Sequence, residues 1–121
     1  MRLLYIILLV SLISIGGCDL RPAWAEKVSW YGNESIVPKW KGFTANGEKF
    51  DENAYTCAVP KRSMLGRRYK VSYEGKSVIV RANDTGSFAK YGRTLDLSKA
   101  SFKALAPLKM GVINAKVEEV N

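Results

Sequence analysis

The 121-residue chain contains no histidine. That absence removes Ser–His and Cys–His nucleophilic pairs and histidine-bound metal centres, and leaves carboxylates, tyrosines and lysines for proton transfer. Asp84 is the carboxylate whose surroundings suit such work. It follows the apolar run Val78-Ile79-Val80-Arg81-Ala82 and precedes Thr85-Gly86, so it is expected at the rim of a folded core. Partial burial there raises a carboxyl pKa and keeps the acid proton in place. The same side chain also suits an Asx turn onto Thr85-Gly86, which needs no substrate. Cys57 lies in the apolar stretch from Ala54 to Val59. With no base available it reads as a small buried hydrophobe rather than a nucleophile. Neither a metal nor a cofactor is expected.

These residues need a scaffold, and the pattern around them is one of strands. Lys27 to Tyr31 alternates as a first strand. Gly32 to Lys49, rich in Gly, Asn, Lys and Pro, reads as a long surface loop. Ala54 to Val59 reads as a buried strand closed by Pro60. Arg68 to Tyr73 and Lys76 to Ala82 alternate with a period of two around Glu74-Gly75, a two-residue hairpin signal. Asn83 to Gly92 reads as a glycine-containing loop. Asp96-Leu97-Ser98 opens a short helical pattern that Ser98 can cap, with Ala100, Phe102, Ala104 and Leu105 as its apolar stripe and Pro107 as its stop. Gly111 to Val120 alternates again. The expectation is a mainly β domain of five or six strands with one or two short helices. A small closed barrel lets so few strands bury a core without open edges.

Residues 1–17 read as an export leader. Arg2 supplies the positive start, and the apolar run Leu3 to Ile15 is too short to span a hydrocarbon core of ~30 Å. Ile15-Gly16-Gly17-Cys18 has the form of a lipobox, with Cys18 as the lipidated residue. The other cleavage pattern, Ala23-Trp24-Ala25, lies well beyond the apolar run. The expected organisation is a signal peptide over 1–17, a tether over 18–26 and one domain over 27–120. The protein would be monomeric and lipid-anchored in the cell envelope, facing the periplasm. Asp19 resembles the residue that retains lipoproteins at the inner membrane. Lipidation of Cys18 leaves Cys57 unpaired, whereas an unmodified Cys18 leaves a Cys18–Cys57 bridge open. The 19 Lys and Arg residues against 11 Asp and Glu give a net charge of +8, which steers anionic partners. Outside the cytoplasm those are the lipid bilayer's headgroups and murein carboxylates rather than nucleic acid; a merely solubilising surface is the other reading.

Four segments follow one another in a telling order: Ser29-Trp30-Tyr31-Gly32, Thr44-Ala45-Asn46-Gly47-Glu48-Lys49-Phe50-Asp51, Val80-Arg81-Ala82-Asn83-Asp84-Thr85-Gly86-Ser87-Phe88 and Arg93-Thr94-Leu95-Asp96-Leu97-Ser98. Together they resemble the rare lipoprotein A family over about residues 27–120. The resemblance implies a six-stranded double-psi β-barrel related in fold to expansins. It implies an envelope protein of the lytic transglycosylase type, acting on peptidoglycan glycan strands stripped of stem peptides and leaving 1,6-anhydro-muramyl ends. Such a reaction can run on one carboxyl, because the sugar's own 6-hydroxyl attacks in place of water. Asp84 is the implied catalytic acid and Glu48 a second active-site carboxylate. Trp30, Tyr31, Thr44, Asn46, Thr85, Phe88 and Tyr91 are the implied substrate contacts, the aromatic rings packing on flat sugar faces. Trp40, between Lys39 and Lys41, and Phe43 are further rings in the loop. Lys61, Arg62, Arg67 and Arg68 cluster around Gly66, either to meet anionic groups or as a solvated face. One residue departs from the pattern. Active members carry a histidine after the segment that here reads Thr56-Cys57-Ala58, and this chain has Val59. Two other readings therefore stay open: a non-catalytic, expansin-like murein-binding module, and a partner-binding scaffold.

Overall fold

The computed structural model describes residues 22–121; the leader, Cys18 and Asp19 lie outside the described residues. Six strands, β1 (Glu26–Tyr31), β2 (Thr56–Val59), β3 (Arg68–Tyr73), β4 (Lys76–Thr85), β5 (Arg93–Ser98) and β6 (Val112–Val120), close into a barrel in the order β1-β5-β2-β4-β3-β6. β1 pairs with β5 and β2 with β4 in parallel, while the other four pairings are antiparallel. This is the mixed pairing of the expected double-psi barrel.

Alternation builds the interior. Tyr69 and Val71 on β3, and Val78, Val80 and Ala82 on β4, turn inward with one residue skipped at each step. Val28, Cys57, Val59, Leu95, Leu97, Ile113 and Ala115 complete the barrel's filling. Each fully buried aliphatic or aromatic side chain here contributes on the order of 1.5–3 kcal/mol. Helix α1 spans Asn33–Trp40 and helix α2 spans Lys99–Lys103. Ser98 caps α2 by accepting the Ser101 N–H, and its hydroxyl donates to the Ala54 carbonyl at 2.6 Å. The cap thus also ties the helix to the chain entering β2, and Phe102 of α2 is wholly buried in the core.

The hairpin is found as expected, β3 and β4 meeting through Glu74-Gly75 with both residues at positive φ. Three expectations are corrected. The stretch from Gly32 is not all loop, because α1 forms there and buries Ile36. Trp40 ends that helix; its side chain lies outside the described residues. β4 runs on through Asn83, Asp84 and Thr85, because Asp84 and Thr85 pair with Ala58 and Val59 of β2. Asp96-Leu97-Ser98 belongs to β5 rather than to a helix start. Pairing of Leu95 and Leu97 with Val28 and Trp30 of β1 outweighs the local helical signal.

Candidate active site

The site begins with an irregularity in β4. Cys57 of β2 is paired with Ala82, but the next residue, Ala58, is paired with Asp84, so Asn83 is an extra residue in the ladder. Such a bulge re-aims the side chains that follow it. Ala58 is also paired with Asp96 of β5 on its other side. Asp96, Ala58 and Asp84 therefore form one row across three adjacent strands. Their outer Cα atoms stand two strand spacings apart, about 9.5 Å. Both acids and Ala58 line one groove of about 320 Å³, walled by Trp30, Tyr31 and Arg93 among others. A methyl group is all that separates the two carboxyl-bearing positions.

Three donors converge on Asp84. Oδ1 accepts the backbone N–H groups of Ala45 and Thr85, each at 2.9 Å, and Oδ2 accepts the Tyr31 hydroxyl at 3.1 Å. Tyr31 is held in turn by stacking on Phe50, with ring centroids 4.8 Å apart. Burial, and then the Asp84 charge, push the Tyr31 phenol well above the usual tyrosine range, so it stays a donor. Asp96 lives differently. The hydrogen bond it receives from a side chain comes from Ser29 Oγ at 2.8 Å, and that hydroxyl accepts from Arg93 Nη1 at 2.8 Å. Burial dominates and raises the Asp96 carboxyl above its ordinary range, against the opposing pull of Ser29 and Arg93. The Asx reading of Asp84 has a counterpart, since its Oδ1 takes its neighbour's N–H, yet the same carboxyl also faces the groove.

Glu48 does not line this groove. Its carboxylate receives Arg81 through two hydrogen bonds at 2.6 and 2.9 Å, Asn46 Nδ2 at 2.8 Å and Asn83 Nδ2 at 3.2 Å. Those donors hold it at about 2, as a carboxylate with no proton to give near neutrality. Its effect is to fasten the 44–50 loop onto β4, which sets the Ala45 N–H against Asp84. Asn83 adds a backbone bond, its carbonyl accepting from Asn46 N at 3.2 Å.

The remaining expected contacts divide. Trp30, Tyr31 and Thr85 line the groove. Trp30 donates its indole N–H to the Leu108 carbonyl at 3.0 Å. Thr44 and Thr85 line a smaller adjoining pocket that shares Asp84. Asn46 is engaged with Thr44 and Glu48. Phe88 is only 4% exposed, so it offers no free face to a sugar; it fills the space under Gly86, where an added Cβ would meet its ring at 2.7 Å. Tyr91 is 64% exposed, outside the groove, with the Arg93 guanidinium 5.5 Å from its ring centre. Cys57 is wholly buried, and burial pushes its thiol up to about 12, which fits the packing role expected of it. Val59 is also wholly buried, on the core side of β2. No group of acidic or thiol side chains suited to a metal is found among the described residues.

Asp96 is the residue that the sequence reading missed. Its signal was the Leu95-Asp96-Leu97 alternation, apolar–acid–apolar, which in a strand turns the acid away from the core.

Residues 25–117 match the family described as lytic transglycolase. The endolytic peptidoglycan transglycosylase RlpA of Neisseria meningitidis serogroup A is 38% identical over 95 residues, which are 76% of this chain and 37% of that protein. The protein of the same name from Pseudomonas aeruginosa (strain UCBPP-PA14) is 41% identical over 97 residues, or 77% of this chain and 26% of that one. The chain thus spans about a third of the length of these curated relatives, or less. Among solved structures, the Streptomyces papain inhibitor superposes with a TM-score of 0.65 at 25% identity, covering 80% of this chain and 93% of the inhibitor. The expansin of Clavibacter michiganensis superposes with a TM-score of 0.63 at 18% identity, covering 80% of this chain and 50% of the expansin. The closed barrel, the ordered motifs and the match over residues 25–117 agree: this chain belongs to the lytic transglycolase family, with a double-psi β-barrel fold.

Proposed function

We propose that the barrel cleaves the glycan strands of peptidoglycan by intramolecular transglycosylation, with Asp96 and Asp84 as its two proton-transfer groups. The observation that carries this is the row Asp96–Ala58–Asp84 on the floor of one groove. Asp96, its carboxyl raised by burial, donates its proton to the glycosidic oxygen as the C1–O bond breaks. The 6-hydroxyl of the same muramyl residue attacks C1, and its proton passes to Asp84, an acceptor already oriented by three donors. The product is a 1,6-anhydro ring and a free sugar hydroxyl. Water returns the proton from Asp84 to Asp96 between turnovers. Glu48 and Tyr31 act as positioning residues, and the Trp30 ring borders the sugar path.

The test is a product assay on glycan strands by mass spectrometry. Asp84→Asn and Asp96→Asn should each lower anhydro-muramyl product by at least about 100-fold, the scale of one lost acid–base group. An Asp96→Asn chain with unchanged turnover would leave Asp84 as sole acid and base. Absence of product from the parent chain would end the catalytic reading. The second reading, an expansin-like module that binds murein without cutting it, has one observation in its favour. Val59 stands where the family pattern has histidine, and it lines no part of the groove. Retention on sacculi without product would support that reading.

The same proposal extends to placement. Ile15-Gly16-Gly17-Cys18 supports a lipid anchor on Cys18 in the bacterial envelope. Metabolic labelling with a fatty-acid analogue, abolished by Cys18→Ala, is the corresponding measurement.

A further inference from the structure

A second, open groove of about 520 Å³ crosses β6, β3 and the start of β4 beside the hairpin, and shares no residue with the catalytic floor. Lys70, Lys76, Lys116 and Trp24 line it, with Ser72 and Asn114 between them. Alternation turns the lysines outward, because Tyr69 and Val71 on either side of Lys70 are buried, as is Ala115 before Lys116. Two acids stand nearby: Glu74 in the turn, and Glu118, which bonds Lys116 at 2.8 Å and lies opposite Lys70 in the ladder. Lys70 and Lys76 themselves form no ion pair among the described residues. Trp24 comes from the segment that leads into β1. The Ala25 N–H donates to the Pro22 carbonyl at 3.0 Å, which folds Pro22 to Ala25 into a turn, and Ala25 is buried. The indole is thus fixed at the groove yet 57% exposed. Ile79, 49% exposed, stands opposite Lys70 on β4. An exposed indole and an exposed aliphatic chain among lysines with spare charge suit a bilayer interface, where rings sit at headgroup depth and ammonium groups meet phosphates.

Resting on the reading of Cys18 as a lipid anchor, we propose that this face docks the barrel on the anionic phospholipid surface that holds the anchor. Trp24 follows Cys18 by six residues, a reach of at most about 20 Å for extended chain. The anchor therefore holds the indole close to the headgroups, and a contact too weak to bind a free protein suffices to orient a tethered one. Lys70 and Lys76 add an attraction that acts within a Debye length, about 8 Å at physiological ionic strength. Docking also aims the enzyme. β4 begins at Lys76 on this face and reaches Asp84 eight residues later, roughly 26 Å away at 3.3 Å per residue. A barrel seated on its hairpin end turns the catalytic groove away from the bilayer, toward the layer where glycan strands lie.

The experiment uses the full chain as a bacterial host processes it, reconstituted into vesicles that carry brominated acyl chains as a quencher. One set contains phosphatidylethanolamine with phosphatidylglycerol, the other phosphatidylcholine alone. Tryptophan emission is read, with Trp24→Phe as the baseline for Trp30 and Trp40. Trp24 should be quenched on the anionic vesicles and far less on phosphatidylcholine. Lys70→Gln combined with Lys76→Gln should lower the ratio of docked to undocked barrel by about 10- to 30-fold, at roughly fivefold for each lysine near an anionic surface. Equal quenching on both vesicle types, or quenching unchanged in the double variant, overturns the docking. Mass spectrometry of the same chain separates this from the anchor. An unquenched Trp24 in a chain that carries lipid on Cys18 overturns the docking and leaves the anchor standing. A chain without that lipid that still binds anionic vesicles through Trp24 and the two lysines removes the anchor and keeps the face. A mature chain beginning at Glu26 lacks Trp24 and removes both. Loss of retention on sacculi in the double variant, with vesicle quenching intact, would assign the face to murein instead. Both lysines are exposed and neither borders the catalytic groove, so the double variant should melt with the parent and cut soluble glycan strands as the parent does. A lowered melting temperature would assign the lysines to stability.

Discussion

Two aspartates on one floor differ because of what surrounds each. Three donors meet Asp84, while burial governs Asp96. Tyr31 links the floor to the loop through Asp84 and Phe50. Tyr31→Phe keeps the stacked ring and removes one donor, so kcat should fall about 5- to 20-fold with KM little changed, on the scale of one hydrogen bond to a charged group. An unchanged kcat in Tyr31→Phe, measured by steady-state kinetics, would remove Tyr31 from the positioning role. For Glu48 the sign is equally direct. Its folded pKa of about 2 lies below its ordinary 4.5, so the Arg81–Glu48 fastening is complete above 4.5 and lost as pH falls toward 2. An NMR titration of the Asn83 side-chain amide should therefore inflect near 2; inflection near 4.5 would show that the pair does not hold. Exposure of both side chains keeps its contribution to stability small.

Among the elements, the β3–β4 hairpin and the bulge in β4 do different work. The turn holds Glu74 at φ 47 and Gly75 at φ 81, the left-handed pair that favours Asn-Gly. Glu74 pays a conformational cost there that Asn largely avoids. Glu74→Asn should stabilise the domain by about 0.5–1 kcal/mol, read as a higher midpoint in urea with an unchanged m-value. No change would mean the turn relaxes without cost. The hairpin was legible because its signal is local: alternation on either side of a two-residue turn. The bulge was not, because an extra residue exists only relative to a partner strand. Asn83 in isolation reads as a turn former, and its place in β4 depends on β2, which lies more than twenty residues earlier. Likewise Asp96-Leu97-Ser98 carries a true helix cap at Ser98, but the residues before it are drawn into β5 by β1.

For the whole molecule, charge acts at long range. A net charge of +8 on a small chain favours approach to a polyanion such as murein. Retention on sacculi should weaken several-fold between roughly 0.05 and 0.5 M salt as screening tightens, measured by pull-down. Salt-independent retention would mean that neutral sugar contacts carry the binding. What the chain determined by itself were the features encoded over short stretches: the strand alternation, the hairpin, the cap on α2, the lack of any imidazole and the ordered motifs of the family. The site was decided only when the barrel closed. Closure puts β5, β2 and β4 side by side, so that Asp96 and Asp84 share Ala58 as a neighbour, and it turns Phe88 and Val59 inward. Pairings between distant strands set those positions, and no local pattern of residues contains the register of a strand against a partner far along the chain.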